Sequence, residues 1–102
     1  MGIGMQIAYI GFAGSMPLEA EAGAQLVRIQ RYDRLISGCH LSIEALKGTP
    51  GQTLYDARIE LIMRTNELKP LPSCVSETPV DAVRKAFDVA ERGLAAASRT
   101  PH

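Results

Sequence analysis

The residues best equipped for chemistry in this chain of 102 are an adjacent thiol and imidazole, Cys39-His40, with further copies at Cys74 and His102. Cys39 and His40 fall in an alternating stretch that reads as a strand. Successive side chains there point to opposite faces, so the two cannot act on one another as nucleophile and base. His40 reads instead as a solvated or hydrogen-bonded strand histidine. His-x-x-x-His, Cys-x-x-Cys and nucleophile-elbow spacings do not occur, so neither a metal site nor a cofactor is expected. The segment Gly11-Phe12-Ala13-Gly14-Ser15 has the glycines of a phosphate loop. It lacks the Lys-Ser/Thr of a nucleotide-binding loop and the third glycine of the dinucleotide fingerprint, and reads as a plain connection. Glu19 and Glu21 stand two apart on a helix and face different ways. No convergent titratable set emerges, and the sequence does not read as an enzyme.

What remains is positive charge. Lys85, Arg92 and Arg99 are spaced by seven and line up along one face of a predicted helix, while Arg28 and Arg31 lie off the apolar stripe of another, with Arg34 just beyond. Such rows can contact successive phosphates. The competing reading is a solvated face, because Asp81–Lys85 and Asp88–Arg92 have the i,i+4 spacing of stabilising pairs. Eleven basic side chains cancel eleven acidic ones; residues 1–51 carry four of each sign and residues 52–102 seven of each. A nucleic-acid partner would have to be held by a local patch, since the overall field steers little. Two cysteines 35 residues apart make neither a zinc site nor a disulfide framework, and Cys39 and Cys74 read as reduced, semi-buried thiols of a cytoplasmic protein. The first residues lack the pattern of a secretory signal, and no apolar run is long enough for a membrane span.

These groups are positioned by six predicted elements. Residues 3–12 form an apolar, glycine-bounded strand with Met5, Ile7 and Tyr9 on one face. Ser15 and Pro17 begin a helix over residues 17–32, in which Leu18, Ala22, Gln25/Leu26 and Ile29 recur at helical spacing. Residues 39–46 alternate Leu41, Ile43 and Ala45 against His40, Ser42 and Glu44. Residues 47–52 turn. Residues 56–68 alternate again, with Ala57, Ile59, Leu61 and Met63 opposite Arg58, Glu60 and Arg64, and Ile62 intruding on the polar side. Asn66-Glu67 offers a turn. A short fourth strand at residues 71–76 belongs at an edge because of Pro70 and Pro72. Thr78 and Pro79 open a last helix to about Ala97, with Val80, Val83, Ala86/Phe87, Ala90 and Leu94 on one face. One domain over residues 1–102 is expected, with its core in residues 3–97 and a frayed tail at 98–102. The class is α+β, in the order β-α-β-β-β-α, a four-stranded, mostly antiparallel sheet with two helices on one face.

Arg28-Ile29-Gln30-Arg31-Tyr32-Asp33-Arg34-Leu35-Ile36, leading into a strand, resembles the end of the first helix in ribosome hibernation-promoting factors and ribosome-associated inhibitors. That family was formerly described as sigma-54 modulation proteins. Pro79-Val80-Asp81-Ala82-Val83-Arg84-Lys85-Ala86-Phe87-Asp88, continuing to Arg92 and Leu94, is similar to the family's last helix. The resemblance covers about residues 5–95. It implies a fold like a double-stranded-RNA-binding domain, binding to the small ribosomal subunit, and silencing of translation under stress. It also implies RNA contacts by Arg28, Arg31, Lys85 and Arg92. The chain departs from the family's pattern in its zero net charge and in Ala95-Ala96-Ala97 where family members carry lysines. The alternative is a protein–protein module of the same fold, a homodimer using the open sheet face, with Ile62 and the short proline-containing edge strand as natural contacts.

Overall fold

Two polar side chains start the two helices. The Ser15 hydroxyl accepts a hydrogen bond from the Leu18 amide (3.3 Å) with Pro17 in the first turn, which opens α1 (Met16–Ile29). The Thr78 hydroxyl accepts from the Asp81 amide (3.1 Å) and opens α2 (Pro79–Arg99). A 3-10 turn, Gln30–Tyr32, follows α1 directly. The computed structural model describes residues 2–48 and 50–99. Ser98 and Arg99 complete the last turn of α2 where fraying was expected, and the rest of the expected tail, with His102, lies outside the described residues.

The sheet is built on a long hairpin. β2 (Ile36–Lys47) and β3 (Thr53–Met63) pair antiparallel along their whole lengths, and β1 (Gly4–Ile10) adds to β2 in parallel. β2 and β3 each begin three residues earlier than expected. The register of the pair shifts between Ile36 and Gly38, and this bulge at Ser37 absorbs the Ser-Gly break read from the sequence. β3 ends at Met63, where a three-residue loop with Asn66 in the left-handed region (φ 70°) reverses the chain.

The single fourth strand expected at residues 71–76 is two short ones, β4 (Leu68–Pro70) and β5 (Cys74–Ser76), both on β3. Three residues, 71–73, lie opposite two of β3, Arg58 and Ile59. Pro70 and Pro72 have no amide hydrogen to offer, so the ladder breaks there and only the Leu71 amide reaches across, to the Ile59 carbonyl (2.9 Å).

One face of the sheet is apolar and carries both helices. Cys39, Leu41 and Ile43 of β2 and Ala57, Ile59 and Leu61 of β3 pack with Leu18, Ala22 and Ile29 of α1 and Val83, Phe87, Ala90 and Leu94 of α2. Met5, Ile7 and Tyr9 of β1 border this core. The opposite face is free of helices and bears Gln6, His40, Ser42, Glu44, Arg58 and Glu60 in cross-strand rows.

Candidate nucleic-acid interface

Basic side chains on the helices meet acidic ones across the helix layer. The Arg84 guanidinium lies 3.0 Å from the Glu21 carboxylate, Arg28 reaches Asp88 (3.1 Å) and Glu91, and Arg31 reaches Glu91 (2.9 Å). Partner numbers rise together along α1 and α2, so the two helices run side by side in the same direction. Gln25 continues the chain within α1, donating to Glu21 (2.8 Å) and accepting from Arg28. Glu21 and Glu91 respond to their partners. Arg84 holds Glu21 below the ordinary carboxylate value, Arg28 does the same for Glu91, and Glu91 in turn raises Arg28.

The four residues singled out for RNA contact therefore stand in two situations. Arg28 is only 36% exposed and is held between two carboxylates. Arg31 shares Glu91 but keeps 66% of its side chain in solvent, lying 5.0 Å from the centre of the Tyr32 ring. Lys85 and Arg92 are exposed on α2 and have backbone partners: the ammonium group of Lys85 lies 3.5 Å from the Val75 carbonyl, and the Arg92 Nε donates to the Asp88 carbonyl (3.4 Å). Both lie close enough to the Cys74 thiol to pull its pKa down, against the stronger upward push of burial and Asp56. They thus share one side of the molecule, beside β5.

The expected pairs within α2 are not the ones formed. Asp88 serves Arg28 on the other helix, and Asp81 lies 4.0 Å from Arg84, not from Lys85. Sequence spacing sees only neighbours on one helix, and the parallel arrangement of two helices decides otherwise. Glu21 and Glu91 were the residues missed; no local pattern marks them.

The thiols and imidazole do not converge. Cys39 is buried in the core, where burial pushes its pKa up to about 11, while His40 lies on the other face with its Nδ1 3.6 Å from Glu60. Both cysteines are free thiols. Among the described residues no three His, Cys, Asp or Glu side chains are grouped to hold a metal, and no helix is long and apolar enough to cross a membrane.

The fold defines a two-helix α+β protein, with Lys85 and Arg92 exposed on α2 near the Cys74 thiol of β5, alongside Asp56 and Asp88. Solved structures share that fold. A ribosomal subunit interface protein from Coxiella burnetii superposes with a TM-score of 0.70 at 18% identity, over 96% of this chain and all of that one. The N-terminal domain of Protein Y from Thermus thermophilus superposes with a TM-score of 0.70 at 16% identity, over 92% of this chain and 96% of that one. No family model matches the sequence, and no curated protein matches it. At these identities the likeness is one of fold.

Proposed function

We infer that the chain is a ribosome-associated protein of the hibernation-factor kind, cytoplasmic, non-catalytic, and bound to RNA of the small ribosomal subunit through its helix layer. The supporting observation is the fold, shared over nearly the whole chain with a ribosomal subunit interface protein. Lys85 and Arg92 are the direct phosphate contacts in this reading, because neither is engaged by a carboxylate within ion-pair distance among the described residues. Arg31 adds its outward edge. Arg28 acts behind them, bracing α1 to α2 so that the surface keeps its shape.

The test is co-sedimentation with purified small subunits. Association is expected at low salt and should weaken as salt rises, since phosphate contacts release counterions. Arg92→Glu is expected to weaken association with little change in melting temperature. Protein that stays in the supernatant at low salt, with subunits in excess, overturns the reading. The homodimer reading draws on a different feature: Leu68 (58% exposed) and Val75 (44%) flank the helix-free face with Ile10 and Ile62. A salt-insensitive dimer by light scattering, with no RNA affinity, would favour it.

A further inference from the structure

Beyond the end of the first helix lie basic groups that the acidic partners of the helix layer do not reach. Arg34 follows the 3-10 turn after α1, Arg64 opens the loop after β3, and Lys69 lies on β4, and all three line one open groove of about 550 Å³. Among the described residues, none of the three has a carboxylate within ion-pair distance. Their convergence is fixed by backbone bonds. The Arg64 amide donates to the Leu35 carbonyl (3.0 Å) and its Nε to the Asp33 carbonyl (2.8 Å), tying the loop to the start of β2. The Met63 amide donates to the Glu67 carbonyl (2.8 Å) and closes the loop that brings Lys69 round. With Nε so engaged, the terminal nitrogens of Arg64 remain as a fork suited to a phosphate.

We propose that this groove is a second RNA contact, which takes the phosphodiester backbone of a single strand on Arg34, Arg64 and Lys69. Charge complementarity names the occupant. Three cations face one carboxylate, Glu67, which accepts a hydrogen bond from the Thr65 hydroxyl (3.2 Å) at the rim. No aromatic ring lines the groove, so it has no stacking platform for bases and grips backbone without reading sequence. The groove deepens the proposed function, on which its biological meaning rests, by adding a site apart from the α2 edge.

The experiment is fluorescence anisotropy of a labelled 12-nucleotide oligouridylate against the full chain, run beside co-sedimentation with small subunits. Arg34→Glu and Lys69→Glu are each expected to weaken oligonucleotide binding about tenfold and to lower the salt slope by ~0.7 for each phosphate no longer held. Glu67→Gln should tighten binding several-fold. Lys47→Glu, a charge change at the other end of the β2–β3 hairpin, should leave it unaltered. All three groove positions are exposed, and melting curves verify that the variants fold. Unchanged binding by Arg34→Glu and Lys69→Glu, or no effect of Glu67→Gln, overturns the groove even where the wild type sediments with subunits. Groove-dependent oligonucleotide binding without sedimentation leaves the groove standing and removes the ribosome reading. Failure of the wild type in both assays removes both.

Discussion

At the scale of single residues, the helix layer shows how a chain of zero net charge engages part of its cations internally, Arg28, Arg31 and Arg84 each meeting a carboxylate. Glu91 is the pivot, since it meets both Arg28 and Arg31. Its carboxylate and that of Glu21 sit below the ordinary value of 4.5 in the folded protein, because Arg28 and Arg84 favour the charged form. A depressed folded-state pKa contributes stability at neutral pH that is lost as pH falls through the folded value. The melting temperature is therefore expected to hold from pH 7 to about pH 5 and to fall below about pH 4.5, less steeply in high salt because the pairs are exposed. Glu91→Gln should melt lower at pH 7 and show a shallower acid limb. The same variant releases Arg31, while Asp88 still holds Arg28 in its bracing place, so RNA binding should strengthen while stability falls. A parallel loss of both would place Glu91 in the binding surface itself. The basic half of this network was legible from periodicity, whereas its acidic half was not: Asp88 was assigned to Arg92 by spacing and serves Arg28 by packing.

At the scale of elements, local chemistry carried much of the reading. Ser15 and Thr78 were legible as caps because a hydroxyl just before a proline-led apolar run satisfies amides that the helix cannot. The apolar stripes of both helices and the alternation of the two long strands also match the structure. The bulged edge was only half legible. Pro70 and Pro72 marked an irregular edge, but which β3 residues each fragment would meet depends on where the ladder restarts. Glycine gives a contrast that local pattern alone cannot. A Cβ on Gly23 of α1 or Gly93 of α2 would meet nothing within 4 Å, whereas one on Gly14 would lie 2.2 Å from the Tyr9 ring. The Tyr9 ring cannot simply move aside, being packed edge-on to Phe12 at 5.6 Å. Gly23→Ala and Gly93→Ala are expected to stabilise by about 0.5–1 kcal/mol each. Gly14→Ala should destabilise by about 1–3 kcal/mol. Urea titrations of the three variants check the order.

At the scale of the whole molecule, the long hairpin sets the proportions. The described chain extends 50 × 23 × 20 Å with a radius of gyration of 14.0 Å, against about 13 Å for a compact chain of this length. An elongated body with no net charge has little long-range attraction for RNA, so the contacts proposed at the α2 edge and the groove would act at close range. The α+β class and helix layer were legible because every strand showed one apolar side. The parallel sense of β1 was not read from the pattern, since alternation is the same in either direction. That parallel pairing has a kinetic consequence. The β2–β3 hairpin closes through a short turn, whereas β1 meets β2 only after all of α1 has crossed over, a closure of higher entropic cost. The hairpin is thus expected to assemble first and β1 to dock last. In native-state hydrogen exchange, the β1 amides bonded to β2 should open at a lower free energy than those between β2 and β3. Equal opening energies would mean that β1 and the hairpin unfold as one unit.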